Sequence, residues 1–428
     1  MGDGRGTYEG GIYRAEDARL SDLAGRKILP IGKDVFPDVI RNNVFVDKSM
    51  LIADVLDSGA AAMLFCRPRR FGKSLNLSML KCFFELHNPS DPAWVSAEEL
   101  FCGLEVWEAE GGRFREHCGA YPVVRFSFNN AKDPDWEIAR GVIARSILAE
   151  YARHAYLAES EVLTDEERER VARLLAQPAT GDSLKTTLLE LTQFLSKHHG
   201  KPAVVLIDEY DAPVMAGHTY GYYDEVVAFL KGWLTGALKS NDALAFAVLT
   251  GVQRISKESI FSDLNNLEVN TSLNVASDER YGFTDAEIRA IASYLDVPEA
   301  AAEAKKWYDG YRFGGIDVYN PWSAVNYFKH DCVPDVYWGN TSSNSVLGSL
   351  VANADNKMLK RLYALAEPGG TVNAPIDTRI VFPDLGVAPQ AVWSMLYLAG
   401  YLTTDDTALP GDTERPRALR IPNREVAK

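Results

Sequence analysis

Residues 63–85 read MLFCRPRRFGKSLNLSMLKCFFE, and this stretch decides the fold class. The apolar run MLFC is typical of a short buried strand, and the apolar residues that follow Gly72 recur at helical spacing. Between the two lies a basic loop that ends in Gly72-Lys73-Ser74. A strand, a loop and a helix in this order favour a phosphate-binding loop, because backbone N–H groups at a helix N-terminus attract anions.

The loop departs from the usual pattern of such sites at its first position. The standard motif is GxxxxGK[ST], in which the lysine reaches the outer phosphates and the hydroxyl binds magnesium. Here the first glycine is replaced by Arg67, so the GKS core is the only matching part. The alternative is a surface turn with a basic cluster before a helix. We predict that the nucleotide contacts are made by Arg69, Arg70, Phe71, Gly72, Lys73, Ser74 and Leu75, with Ser74 also on Mg²⁺.

A second buried strand, in PAVVLIDEYDAP (202–213), ends in acidic residues. Ligands of open α/β sheets bind at the carboxyl ends of strands, so these acids are candidates for chemistry. We predict that Asp208 holds the magnesium through water and that Glu209 polarises the attacking water. Turn-forming acids are the alternative for this pair. Asp211 either caps the next element or contacts the metal, and the sequence leaves both open.

A third strand, DALAFAVLTGV (242–252), ends in polar residues that could sense a terminal phosphate. Thr250 or Arg254 fits this position, and Arg254 could neutralise charge that develops during phosphoryl transfer. The alternative for Arg254 is an ordinary surface or ion-paired arginine. Asn265–Asn266 are expected to form a turn. Strands separated by helical segments predict an α/β fold with a parallel sheet covered on both faces.

Composition limits the remaining choices. A chain of 428 residues exceeds one ordinary core, and a net charge of −14 argues against a surface built throughout for nucleic acid. The five cysteines form no CxxC pair, which favours reduced thiols in a cytoplasmic protein. No apolar run has the length of a signal peptide core or a membrane span, so we expect no membrane partner.

Taken together, several motifs resemble the bacterial AAA-ATPase-like family, whose members often carry a C-terminal PD-(D/E)XK nuclease domain. The resemblance covers roughly residues 28–425 and includes RPRRFGKSL as a distinctive phosphate loop. The motifs are LPIG (29–32), FVDKSMLI (45–52), LFCRPRRFGKSLNLSMLKCFFE (64–85), VVLIDEYDAPV (204–214), LTGVQRISKESIFSDLNNL (249–267), YGFTDAEI (281–288), WYDGYRFGG (307–315), VYNPWSAVNYF (318–328) and YWGNTSSN (337–344).

The resemblance implies a domain plan. After a flexible extension (1–27), it implies a P-loop ATPase core (28–280), a helical lid (281–335) and a winged-helix-like C-terminal region (336–428). LPIG and FVDK are expected near the adenine. Only five residues follow Asn423, too few for the family's nuclease domain, so no nuclease residues are assigned.

Three functions fit these observations. The first is a switch that binds ATP and Mg²⁺ and hydrolyses ATP, with turnover that could be slow. The second is a nucleotide-gated binding module with little turnover, which recognises a protein or DNA. Against DNA, the helix SMLYLAGYL (394–402) is mostly apolar and favours core packing. The third makes WYDGYRFGG a sugar or peptide surface, although such aromatic and glycine spacing is more typical of a packed turn.

Overall fold

The computed structural model describes residues 6–176, 184–255, 267–339, 356–380 and 391–428. The expected turn at Asn265–Asn266 lies outside these ranges. Within the described residues, no helix is both long and apolar enough to cross a membrane.

The strands, numbered in chain order, are β1 Thr7–Glu9, β2 Ile12–Ala15, β3 Ala18–Ser21, β4 Phe45–Val46, β5 Ala62–Cys66, β6 Val123–Ser127, β7 Ala203–Asp208, β8 Leu244–Gly251, β9 Leu267–Asn270, β10 Tyr311–Phe313, β11 Ile316–Val318, β12 Val372–Pro375, β13 Thr403–Thr404 and β14 Pro416–Arg420.

The described α-helices are α1 Phe36–Asn42, α2 Leu51–Ser58, α3 Lys73–Phe84, α4 Ala97–Phe101, α5 Glu105–Glu108, α6 Trp136–Arg153, α7 Asp165–Ala176, α8 Thr187–His199, α9 Ala212–Tyr220, α10 Tyr223–Leu238, α11 Asp285–Tyr294, α12 Ala300–Tyr308, α13 Pro321–Lys329, α14 Asn356–Ala366, α15 Ala391–Ala399 and α16 Arg424–Ala427. Two 3-10 segments span Ala109–His117 and Ala155–Glu159.

The central sheet has five parallel strands in the order β6-β7-β8-β5-β9. Alternate residues of its strands enter two different cores. In β5, Leu64 packs into the core formed with α6, α8 and α10, whereas Met63 packs into the core formed with α1, α2 and α3. Burial on both faces explains why the strands are apolar throughout. The α/β fold with a covered parallel sheet is confirmed.

The sheet order determines where the functional strand ends meet. The strand before the phosphate loop (β5) and the strand that ends in Asp208 (β7) both pair with β8, which lies between them. Parallel strands end at the same edge of a sheet. The three strand ends that the sequence singled out are therefore neighbours.

Within the expected flexible extension (1–27), the described residues, which begin at Gly6, form three strands. β1, β2 and β3 join β4 in a four-stranded antiparallel sheet. Gly10 and Gly11 both have positive φ and form the two-residue turn between β1 and β2, a geometry that favours glycine. The buried side chains of Tyr13 and Leu20 pack against Ile288 of α11. Glycine here builds a hairpin, and the short strands are stabilised by tertiary packing.

The predicted helical segments after Gly282 are present as α11 and α12, and α13 follows a short hairpin. We call residues 281–335 the lid region, although its role as a lid stays a prediction. The hairpin β10–β11 contains the WYDGYRFGG aromatics, and the side chains of Tyr311 and Phe313 are buried. These rings are part of a packed turn, which leaves them unsuited to bind a sugar or peptide.

The C-terminal region contains a three-stranded antiparallel sheet in the order β12-β14-β13. The apolar helix α15 is buried in the same core through side chains such as Trp393, Leu396 and Leu398. Core packing of this helix is therefore observed. A winged-helix fold and a nucleic-acid role for this region remain predictions.

Candidate functional site

The loop between β5 and α3 turns at two residues with positive φ. Arg70 has φ +69° and Gly72 has φ +81°, whereas Arg67 has no positive φ. Gly72 occupies the N-cap of α3 in the left-handed conformation, which explains the glycine of GKS. The first position of the loop does not need glycine, so an arginine is tolerated there.

The side chain of Arg67 is buried beneath the loop, and its hydrogen bonds link the loop to the end of β9. Its guanidinium donates to the carbonyl oxygens of Cys66 and Asn270 at 2.9 and 3.1 Å and to Oδ1 of Asn270 at 2.7 Å. The guanidinium carbon lies 5.0 Å from the centre of the Tyr281 ring. Burial lowers the pKa of this arginine. Arg67 therefore shapes the loop from below, and neither a phosphate nor a partner surface can reach its side chain.

Lys73, the first residue of α3, is held under the loop. Its Nζ donates to the carbonyl oxygens of Arg67 and Pro68 at 3.0 and 2.9 Å. Burial lowers its pKa, and the acids Glu209, Asp211 and Asp208 act in the opposite direction. A cation at the start of a helix, surrounded by a basic loop, creates a positive site suited to phosphate.

The acidic strand end faces this loop across β8. Asp208 is buried, and its Oδ1 accepts a hydrogen bond of 2.6 Å from the hydroxyl of Thr250. Glu209 has φ +47°, an uncommon conformation for a side chain of this size. Its carboxylate is partly exposed and lies 3.4 Å from Nζ of Lys132. Strain of this kind persists when the surrounding structure enforces it, and it concentrates at functional sites.

Asp211 binds the backbone after β8. Its Oδ2 accepts hydrogen bonds from the N–H groups of Val252 and Gln253 at 2.8 and 3.1 Å. Burial raises the pKa of its carboxyl to about 6. The hydroxyl of Tyr210 fixes the same segment, because it donates to the Gln253 carbonyl and accepts from the Ile255 N–H. Through these hydrogen bonds Asp211 holds the segment that carries Arg254 in place. Its side chain does not cap α9.

One cavity of about 360 Å³ connects the loop with the lid region. Its walls come from four parts of the chain, namely the LPIG and FVDK segments, the loop with the start of α3, Glu209, and the lid region. The lining residues are Leu29, Pro30, Gly32, Lys33, Asp34, Val44, Phe45, Val46, Lys48, Arg70, Phe71, Gly72, Lys73, Ser74, Leu75, Asn76, Glu209, Arg280, Gly282, Phe283, Pro321, Trp322 and Val325.

Two polar contacts lie where the lid region joins the rest of the cavity wall. Nζ of Lys48 lies 2.5 and 2.6 Å from the carboxylate oxygens of Glu287 in α11, and both side chains are buried. The amide of Asn76 in α3 donates to the carbonyl oxygen of Arg280, the residue that directly precedes the lid region, at 2.9 Å. The phosphate loop itself contacts the lid region through the ring of Phe71, which packs against Tyr311 and Phe313.

The model of the AAA-ATPase-like family, described as a predicted AAA-ATPase, matches residues 30–261, more than half of the chain. The chain belongs to the AAA-ATPase-like family. A relative from Azotobacter chroococcum mcd 1, named "Uncharacterized protein in vnfD 5'region", is 29% identical over 413 residues. The match spans 94% of this chain and 68% of the relative. The family resemblance inferred from the motifs is confirmed.

Most residues that the sequence singled out in this AAA-ATPase-like protein lie around the cavity. Six of the seven predicted nucleotide contacts and the predicted base Glu209 line it, whereas Arg69, Asp208 and Arg254 do not. Phe71 contributes little side-chain surface, because its ring is buried and packs against Tyr311 and Phe313, each at 5.0 Å between ring centres.

Sequence reasoning did not identify Lys48 or Trp322 as individual site residues. Glu287, the partner of Lys48, also went unnoticed. A signal for it exists, because Thr284-Asp285-Ala286-Glu287 forms a capping box at the start of α11. No comparable local pattern marks Trp322.

Proposed function

We propose that this AAA-ATPase-like protein binds ATP with Mg²⁺ in the cavity and hydrolyses it. The observation that carries the proposal is the meeting of Gly72–Ser74 and Glu209 around one cavity that residues of the lid region also line. The loop supplies N–H groups and a cation for the phosphates, and the apolar LPIG and FVDK walls suit the adenine.

The donors available for a metal are oxygen atoms, as Mg²⁺ prefers. Ser74 lines the cavity at the start of α3, and the Asp208 carboxylate accepts a hydrogen bond from the Thr250 hydroxyl. We propose that these two groups hold Mg²⁺, Asp208 through water. When bound, the ion neutralises charge on the phosphate oxygens.

The reaction needs a base and a group that stabilises developing charge. We propose that Glu209 accepts a proton from the attacking water and that Arg254 stabilises the charge on the terminal phosphate. Two observations support the role of Arg254. Asp211 binds the backbone of the two preceding residues, and the Nε of Arg254 is buried without a hydrogen-bond partner among the described residues.

Glu209→Gln tests this assignment. The variant should bind Mg-ATP as the wild type does and release phosphate at least 100-fold more slowly, since loss of a general base costs about 10²–10⁴ in rate. Phosphate release at saturating ATP measures the effect. Glu166→Gln, a matched change at an exposed glutamate of α7, should leave the rate unchanged. Unaltered release by Glu209→Gln would remove Glu209 from this role.

One contact favours the second candidate, a nucleotide-gated binding module for a protein or DNA with little turnover. The Glu209 carboxylate lies 3.4 Å from Lys132, an ion pair that competes with a water molecule for the same oxygen atoms. On this account the wild type binds Mg-ATP but releases phosphate no faster than Glu209→Gln. If the ion pair with Lys132 suppresses ATP hydrolysis, Lys132→Ala should increase phosphate release. Otherwise the rate of phosphate release should stay unchanged.

A further inference from the structure

The side chain of Asn76 lies in the wall of the cavity and is almost fully buried. Asn76 belongs to α3, one turn beyond the phosphate loop, and its backbone N–H donates to the carbonyl oxygen of Gly72 at 2.9 Å. One such turn advances the helix by about 5 Å. Because phosphates bind at the first N–H groups of a helix, the position of Asn76 is beside the nucleoside part of the proposed ligand.

One hydrogen bond determines which way the amide group of Asn76 points. Its Nδ2 donates to the carbonyl oxygen of Arg280 at 2.9 Å. A carbonyl oxygen can only accept, so the amide nitrogen faces Arg280 and Oδ1 lies on the other branch of the side chain. None of the described residues donates a hydrogen bond to Oδ1. Oδ1 is therefore an acceptor in a buried wall whose capacity is unused, and buried polar atoms are normally paired.

The two cations nearest to this part of the wall are engaged with carboxylates. Nζ of Lys48 donates to both carboxylate oxygens of Glu287. The guanidinium of Arg280 donates to the carboxylate of Asp54 at 3.0 and 3.3 Å. Neither cation turns to Asn76, so Oδ1 keeps its capacity for a ligand.

The other acceptor side chains of the cavity wall are placed differently. Ser74 and Glu209 belong to the proposed phosphate end, and Asp34 is exposed. The residue next to Asn76 in the wall, Leu75, is apolar. Asn76 thus supplies the buried acceptor at the nucleoside end.

A single acceptor with no donor beside it discriminates between purine bases. Adenine carries an exocyclic amine at C6, which donates, whereas guanine and hypoxanthine carry an oxygen at the same carbon, which accepts. The amine would satisfy Oδ1. An oxygen in its place would leave two acceptors facing each other without a proton between them, and a buried acceptor without a donor is costly.

We propose that Asn76 is a specificity-determining residue, whose Oδ1 accepts a hydrogen bond from the exocyclic amine of adenine. The inference rests on the proposed nucleotide site and assigns the group that selects its base. Two other roles compete with it. Oδ1 could instead accept from a ribose hydroxyl, or Asn76 could serve only to bind the carbonyl of Arg280.

The test compares the affinities of the full chain for ADP, inosine diphosphate and 2′-deoxy-ADP, each with Mg²⁺, by calorimetry. Diphosphates are used because the proposed hydrolysis does not consume them. The wild type should bind ADP about 10–100-fold more tightly than inosine diphosphate, the effect of one buried acceptor left unpaired. It should bind 2′-deoxy-ADP within about twofold of ADP, since the ribose does not meet Oδ1.

Two variants remove the acceptor. Asn76→Ala truncates the side chain, and Asn76→Leu keeps its approximate volume, so a folding defect in one leaves the other as a probe. Both should weaken ADP and bring the affinities for ADP and inosine diphosphate within about threefold of each other. Asn356→Ala, at an exposed asparagine of α14, should keep the wild-type preference. Circular dichroism verifies that each variant is folded.

Equal affinity of the wild type for ADP and inosine diphosphate would overturn the inference. Equal weakening of both nucleotides by the Asn76 variants would overturn it too, because that result identifies a structural role. A wild type that discriminates against 2′-deoxy-ADP but not against inosine diphosphate would place Oδ1 at the ribose. If the wild type binds neither ADP nor ATP, the proposed function itself fails. Binding without a preference for the base removes only the role of Asn76.

Discussion

At the scale of single residues, buried charge is concentrated beneath the proposed phosphate site. Lys73 and Arg67 are buried cations without a close carboxylate partner among the described residues, and Asp211 is a buried acid that accepts two backbone hydrogen bonds. Each burial costs desolvation energy and persists because the polar contacts compensate it. Such groups make the stability of the loop depend on pH.

Asp211 gives the clearest pH dependence. Its folded-state pKa of about 6 exceeds the ordinary value of 3.8, so the folded state binds the proton more tightly than the unfolded chain. The resulting stability is complete below pH 3.8 and is lost as pH rises through about 6. Relative to Asp211→Asn, the wild type should lose about 2 kcal/mol of unfolding free energy between pH 4 and pH 7.

Urea denaturation of both proteins across this pH range measures the difference. Asparagine keeps an oxygen that can accept from Val252 and Gln253, so the comparison isolates the charge. Asp224→Asn, at an exposed position of α10, should show no comparable trend. A constant difference between the wild type and Asp211→Asn would contradict the pH dependence.

The sequence could identify those site residues whose roles follow from residues next to them in the chain. Gly72-Lys73-Ser74 and Asp208-Glu209 could be found because a helix start and a strand end place consecutive residues at the site. The buried position of Arg67 could not be predicted, since its hydrogen-bond partner Asn270 is far away in sequence. Trp322 could not be identified either, because only the fold brings it to the cavity.

At the scale of elements, a buried ion pair joins the lid region to the core. The Lys48–Glu287 pair joins the segment after β4 to α11, and Glu287 also completes the capping box of that helix. Both side chains are less than a tenth exposed. Breaking one partner of such a pair leaves an uncompensated buried charge.

Lys48→Met should therefore lower the unfolding free energy by about 3–5 kcal/mol. The double variant Lys48→Met/Glu287→Gln should recover part of this loss, because it removes the remaining charge and keeps an acceptor for the cap. Arg289→Ala, which breaks the exposed pair with Asp285 on the same helix, should cost less than about 1 kcal/mol. Urea denaturation measures all three. If Lys48→Met lowered the unfolding free energy as little as Arg289→Ala does, the buried Lys48–Glu287 pair would not stabilise the attachment of α11.

Elements were predictable where burial imposes a pattern on several residues. β5, β7 and β8 are buried on both faces and read as continuous apolar runs, and α11 and α12 show helical spacing. The N-terminal strands were missed because each has three or four residues and their turns are rich in glycine and acidic residues, the composition of a flexible segment. Their stability comes from Tyr13 and Leu20, which pack on a helix far along the chain.

At the scale of the whole molecule, the order of the strands in the central sheet brings the ends of β5, β7 and β8 together. Because β8 lies between β5 and β7, Thr250 reaches Asp208, and Asp211 reaches the segment after β8. No local pattern in the sequence specifies which parallel strands are neighbours, so this order could not be derived from the residues alone. Residues of the lid region line the cavity beside these strand ends.

The central claim is that this cavity binds Mg-ATP through Lys73. Calorimetric titration of the full chain with Mg-ATP tests it most directly, with Lys73→Ala and the exposed-lysine control Lys201→Ala measured alongside. Circular dichroism verifies that each variant is folded. The wild type and Lys201→Ala should bind equally, and Lys73→Ala should bind about 10–100-fold more weakly because it loses a charged contact to the phosphates. Wild-type affinity in a folded Lys73→Ala, or no binding by the wild type, would contradict the account.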